Sequence, residues 1–383
     1  SNVIYMNNLT NNEITLQLWF SRSNIIINNN IKKNKFGLLL WFSGNNYLDS
    51  NCLENNFWSF GVHGVALFDF LNDVTVSNTV DDRPIYYWIS AYGGQIPENA
   101  GFIGIINSTG VKIKNVDIKN NYQGVLVVSS SLLIVENISL VRNWHAVYMI
   151  DSDCNTFSGN SLISNLYDFF LINSSNNLFF QNNIAGEQIG YFLDSANIWN
   201  CEYPKGGNYW SYYKEEDVYM GEMQDEKGSD GIGDNPFYLD DDFDRYPLIA
   251  PISFLSINLS GILFNVMVST KSSLSSFSLN EPNASFTVYL NVTLAHDSVR
   301  IIIPKTLLWS DEVWVVTLNG QSVNYTLFQD DENTYICIPQ IESGFQCISV
   351  KGTGIISENL LKYAAILFVV FSFVIVICKR SLV

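Results

Sequence analysis

The sequence predicts an all-β chain: a right-handed parallel β-helix of about 22 residues per turn, then a small β-sandwich and one C-terminal transmembrane helix. Three observations carry this. A 22-residue shift superimposes the first part of the chain on itself, the signature of a solenoid. After residue 250 the repeat gives way to longer alternating strands. The stretch 360–378 is apolar apart from Lys362.

The repeat is legible residue by residue. Asn2, Asn24 and Asn46 coincide, as do Asn7, Asn29 and Asn51, then Leu9, Ile31 and Leu53, then Asn12, Asn34 and Asn56. After an interruption Asn121, Asn143 and Asn165 resume the spacing, with Ser130, Ser152 and Ser174. Seven turns are visible. Runs such as Val125-Leu126-Val127, broken by Asn, Ser and Gly, lack the helical period and read as short strands. One such unit cannot bury its own apolar face, but stacked units share a continuous core. Asparagines at equivalent bends then form ladders that satisfy turn amides.

Between about residues 67 and 110 the register is lost, and Tyr86-Tyr87-Trp88 reads as part of a loop or hairpin leaving the solenoid. Two roles are open for these aromatics, stacking on sugar rings or capping a core. Residues 1–200 are assigned to the β-helix, 201–250 to an acidic cap, 251–355 to the sandwich and 379–383 to a cytoplasmic stub. The sandwich rests on strands such as Phe286–Val292 and on the hairpin turn Leu318-Asn319-Gly320-Gln321.

Only 15% of residues are charged while 47% are hydrophobic, so water-facing positions fall to neutral Asn and Ser. The formal charge of −17 excludes a nucleic-acid partner, which demands a basic face. Neither CxxC pairs nor metal-ligand spacing with His63, His145 and His296 occur, so no copper or zinc site is supported. Cys337 and Cys347 flank a plausible hairpin and are either a cross-strand disulfide or two inert thiols.

Within 215–244 the carboxylates are dense. Asp230-Gly231-Ile232-Gly233-Asp234 looks like the second half of a calcium loop, with Glu226 at the first ligand position and one donor missing. Calcium binding by Glu226, Asp230 and Asp234 competes with a solvated acidic loop that closes the end of the solenoid.

The span 360–378, about nineteen residues followed by Lys379-Arg380, fits one membrane crossing with the bulk of the chain outside and the C-terminus cytoplasmic. The chain opens inside a repeat without an initiator Met, as expected of a processed or truncated start. Sequons at Asn8, Asn107, Asn137, Asn173, Asn258, Asn283, Asn291 and Asn324 would carry glycans on an exported protein.

Three segments resemble the NosD-like β-helix proteins with carbohydrate-binding and sugar-hydrolase repeats, especially archaeal surface members. They are Asp81–Trp88 with the repeats after it, Gly207–Tyr213, and Asp230–Tyr238 running to Tyr246-Pro247-Leu248. The resemblance covers roughly residues 1 to 250 and implies a surface solenoid; copper delivery does not follow, since soft or imidazole ligands are not grouped. Three functions stay open: binding of glycans or envelope proteins, a polysaccharide lyase or hydrolase, and a transporter accessory. For catalysis the candidates are Asp151 and Asp153, with no acidic neighbour at the 22-residue shift.

Overall fold

A computed structural model describes residues 1–293 and 297–355. The expected membrane segment 360–378, its cytoplasmic stub and His296 lie outside the described residues. Among the described residues no helix is long and apolar enough to cross a membrane.

The chain forms two compact units. The first comprises 1–216 and 232–249, a parallel β-solenoid of about nine turns. The second comprises, among the described residues, 217–231, 250–293 and 297–355. The boundary departs from the expectation in one respect. Residues 217–231 belong to the second unit, where the Asp217 carboxylate accepts the backbone amides of Asp230 and Gly231 at 3.1 and 2.8 Å.

Each early turn has three strands, as in Ile25–Ile27, Asn30–Lys32 and Phe36–Trp41, and pairs in parallel with the turns before and after. The register is the sequence repeat itself: Ile4 stands over Ile26 and Ile26 over Leu48. Corners are made by left-handed residues at the same spacing, Met6, Asn28 and Ser50, then Asn11, Lys33 and Asn55, then Phe20 and Phe42. A left-handed corner turns the next amide out of the strand ladder. The following Asn repairs this: the Asn7 and Asn29 amides donate to Oδ1 of Asn29 and Asn51 at 3.0 and 3.1 Å. A serine ladder does the same work at Ser108, Ser130, Ser152 and Ser174.

The interruption is a change of face. Strand Thr79–Val80 pairs antiparallel with Arg83–Ile89, which pairs in parallel with Phe102–Ile106. The Tyr86-Tyr87-Trp88 segment is therefore a strand within a ten-stranded sheet, not a loop leaving the solenoid. That sheet serves two cores. Ile103, Ile105, Val125, Val127, Val147 and Phe169 face the core of the later turns. Their sequence neighbours Phe102, Ile106, Leu126, Val128, Tyr148 and Ile150 pack with Leu40, Phe60 and Val62 of the earlier turns. Burial on both faces explains why Gln123–Val128 and His145–Ile150 are buried at every position, the run expected of a two-sided strand.

Asparagine ladders end on aspartates. The hairpin Phe237–Leu239 and Asp242–Asp244 places Asp244 Oδ2 2.7 Å from the Asn208 amide and 2.9 Å from Trp210 Nε1. Asp242 likewise accepts the Asn197 amide at 2.7 Å. Part of the acidic run thus terminates the solenoid, replacing the next Asn by a carboxylate.

The second unit holds two five-stranded sheets around one core. Ile252–Leu259, Ile262–Ser269, Asp297–Pro304, Asn333–Ile341 and Thr326–Gln329 form one. Ser273–Asn280, Ser285–Val292, Gly344–Lys351, Val315–Leu318 and Gln321–Ser322 form the other. Val266, Phe286, Ile336 and Ile348 meet between them. Cys337 and Cys347 sit on strands of different sheets, and both are free thiols. The expected hairpin between them is a crossing from one sheet to the other, so the disulfide expectation is corrected.

Candidate functional site: a groove and an aromatic strip on the solenoid

Residues singled out in the sequence are placed as follows. Asp151 and Asp153 are exposed, and each serves the next turn: Asp151 accepts from Asn173 Nδ2 at 3.1 Å and Asp153 from the Ser175 amide at 2.6 Å. Tyr87 is buried, with its hydroxyl donated to the Phe70 carbonyl at 2.6 Å. Tyr86 and Trp88 point to the opposite face and pack against the later core. The trio is not a single stacking platform. Glu226 and Asp230 fall in the second unit and Asp234 in the first. Among the described residues, no three His, Cys, Asp or Glu side chains are gathered to hold a metal ion. Asp230 Oδ2 accepts the Gly221 amide and Gln224 Nε2, at 3.2 and 3.0 Å. All eight sequon asparagines are exposed, whereas the ladder asparagines Asn24, Asn51, Asn143 and Asn160 are buried.

The change of face creates a surface that the sequence motifs do not mark. A short helix, Leu67–Phe70, lengthens the third turn, so the ladder contact from the Asn46 amide to Asn72 Oδ1 spans 26 residues rather than 22. The edge strand Asp73–Val74 is then followed by the crossing strand Arg83–Ile89. Between them opens a groove of about 660 Å³. Tyr87, Leu71 and Val74 lie on its apolar side, while Ser23 and Asn45, at equivalent corners of successive turns, and Asp73, at the start of the next strand, are exposed. Tyr47 stands at the rim, 37% exposed.

An aromatic strip runs along the ends of the strands Ile14–Trp19 and Phe36–Trp41, just before the same corners. Trp19 stacks on Trp41 at 5.2 Å and Phe20 on Phe42 at 4.8 Å, one turn apart. The strip continues through His63, 4.5 Å from the Trp41 ring, to Tyr148 and Phe170 of the later turns. Within the stack Trp41 and Phe42 are half-buried. The repeat of Trp19-Phe20 at Trp41-Phe42 was the available signal; two adjacent bulky aromatics cannot both enter the core of a strand, so one must face out.

Inside the seam two histidines are held neutral. Burial lowers His63 to about 4, against a weaker opposing pull from Asp69, and its Nδ1 lies 2.8 Å from the Tyr148 hydroxyl. Burial lowers His145 to about 3, and its Nδ1 is buried without a hydrogen-bond partner. Both rings act here as apolar plates between aromatic neighbours rather than as acids or bases near neutrality.

Fold and surface define a parallel β-solenoid protein with an aromatic-edged groove that carries one carboxylate, Asp73, and no Lys or Arg. No family model matches the chain, and no curated protein matches it. Among solved structures, a tailspike protein from the Acinetobacter baumannii bacteriophage Fri1, described as a capsular polysaccharide depolymerase, aligns at 9% identity and a TM-score of 0.15. The alignment covers 86% of this chain and spans 57% of the length of that one.

Proposed function

We propose that this chain is a glycan-binding β-solenoid of the cell surface, of the NosD-like kind, displayed outside the membrane by the segment 360–378. The observation that carries the reading is the stacked aromatics Trp19 on Trp41 and Phe20 on Phe42, together with a groove lined by the amides and hydroxyls of Ser23, Asn24, Asn45, Asn46 and Asn72 and by a single carboxylate, Asp73. Aromatic faces and edges take up the apolar C–H faces of sugars, while Asn and Ser side chains exchange hydrogen bonds with hydroxyls without the desolvation cost of a charge. Binding is favoured over catalysis because Asp151 and Asp153 each commit an oxygen to the next turn.

The full chain is expected to be retained on beads carrying neutral polysaccharide, to release no reducing ends or unsaturated products, and to lose retention in a Trp19→Ala/Phe20→Ala variant. Absence of retention on every glycan tested sinks the reading. Product formation replaces it with an enzymatic one.

A further inference from the structure

We infer that the groove between Asp73–Val74 and Arg83–Ile89 is the specificity subsite, and that it selects uncharged linear glycans laid along the solenoid axis, with Asp73 as the residue that sets this selection. The inference rests on the glycan-binding reading and names the substrate class within it.

The repeat of the wall is the first reason. Ser23 and Asn45 occupy equivalent corners of successive turns, where Asn45 Nδ2 donates to Ser23 Oγ at 2.9 Å; in the next turn Asp73 opens the adjoining strand, in register with Tyr47, and its backbone amide donates to the Asn46 carbonyl at 2.8 Å. Successive turns of a parallel solenoid stand about 4.8 Å apart. The groove wall therefore presents the Ser23 hydroxyl, the Asn45 amide and, one strand position further on, the Asp73 carboxylate on three successive turns, a spacing suited to hydroxyls on neighbouring sugar units rather than to a compact metabolite.

The charge is the second reason. No Lys or Arg lines the groove, and Asp73 supplies its carboxylate. Arg22, next in sequence to Ser23, is held over the Phe68 ring at 4.5 Å and lies 4.0 Å from Asp69. A uronate or sulfate entering the groove would meet Asp73 with no cation to offset it, on a chain whose formal charge is already −17. Neutral hydroxyl pairs, by contrast, donate readily to a carboxylate. The groove's apolar side, formed by Val74 and Tyr87 with Ile89 at the edge, suits the C–H face of an uncharged ring.

The test is titration of the full chain with neutral hexose oligomers and with hexuronate oligomers of equal length. Wild type is expected to bind the neutral series and to bind the hexuronates at least about tenfold more weakly. Asp73→Ala is expected to weaken neutral binding about tenfold, and Asp73→Lys to narrow or invert the preference. Asp73 is exposed, so circular dichroism melting should match wild type. Hydroxyl-radical footprinting, which needs no variant, should show Tyr47 protected by the neutral oligomer. Equal binding of both series, or neutral binding within about twofold of wild type in Asp73→Ala with Tyr47 unprotected, overturns the inference and leaves the glycan reading intact. Absence of binding to either series removes both.

Discussion

At the scale of single residues, one amino acid has two fates in this chain. Asn51 is fully buried. It receives the Asn29 amide at 3.1 Å and donates to the Ile26 carbonyl at 2.7 Å and to Asn78 Oδ1 at 2.8 Å. Asn51→Ala strands at least one buried donor and one buried acceptor, a loss of about 2–4 kcal/mol in chemical denaturation. Asn8, exposed on its strand, should tolerate Asn8→Gln within about 0.5 kcal/mol. Titration divides residues in the same way. Burial raises Asp168 to about 8, although its carboxylate accepts the Gly186 amide at 3.1 Å. A raised carboxyl binds its proton more tightly folded than unfolded. Its contribution is therefore complete below its ordinary value near 3.8 and is lost as pH rises through about 8. His63 and His145 run the other way: their contribution is present above their ordinary 6.5 and is lost as pH falls toward about 4 and about 3. Burial also raises Asp217 and Asp244, both to about 7, so the window from 7 to 8 belongs chiefly to Asp168. Thermal melting of wild type should fall across that window and flatten in Asp168→Asn. An equal slope in the variant would reject the assignment.

At the scale of elements, the strands follow from which faces they bury. Ile25–Ile27 and Asn30–Lys32 bury one central side chain each and are short, whereas His145–Ile150 carries a core on both sides and is wholly apolar or aromatic in its interior. Corners were legible because the left-handed residue and the following Asn recur at a fixed interval. The Tyr86–Trp88 strand was not. Its alternation of Tyr87 into one core and Tyr86 and Trp88 against the other resembles any amphipathic edge until the second core is known. The Cys337–Cys347 hairpin failed for a related reason: two strands close in sequence need not share a sheet when a sandwich offers two.

At the scale of the whole molecule, two units with separate cores predict two calorimetric transitions. Asp244 closes a ladder that runs through Asn160, Asn182 and Asn208. Asp244→Ala should lower only the solenoid transition and release amide protection first at Tyr209–Trp210, the last strand of its sheet. A single transition that shifts as one would show the units to be thermodynamically coupled. The solenoid, its period and its corner chemistry were determined by sequence alone, because in-register stacking makes each turn's neighbour a fixed number of residues away. The groove, the strip's continuation into the later turns and the roles of Asp168 and Asp244 were decided only by tertiary structure. They arise where that period breaks, and there a contact depends on which face of a shared sheet the chain returns to, which no local spacing records.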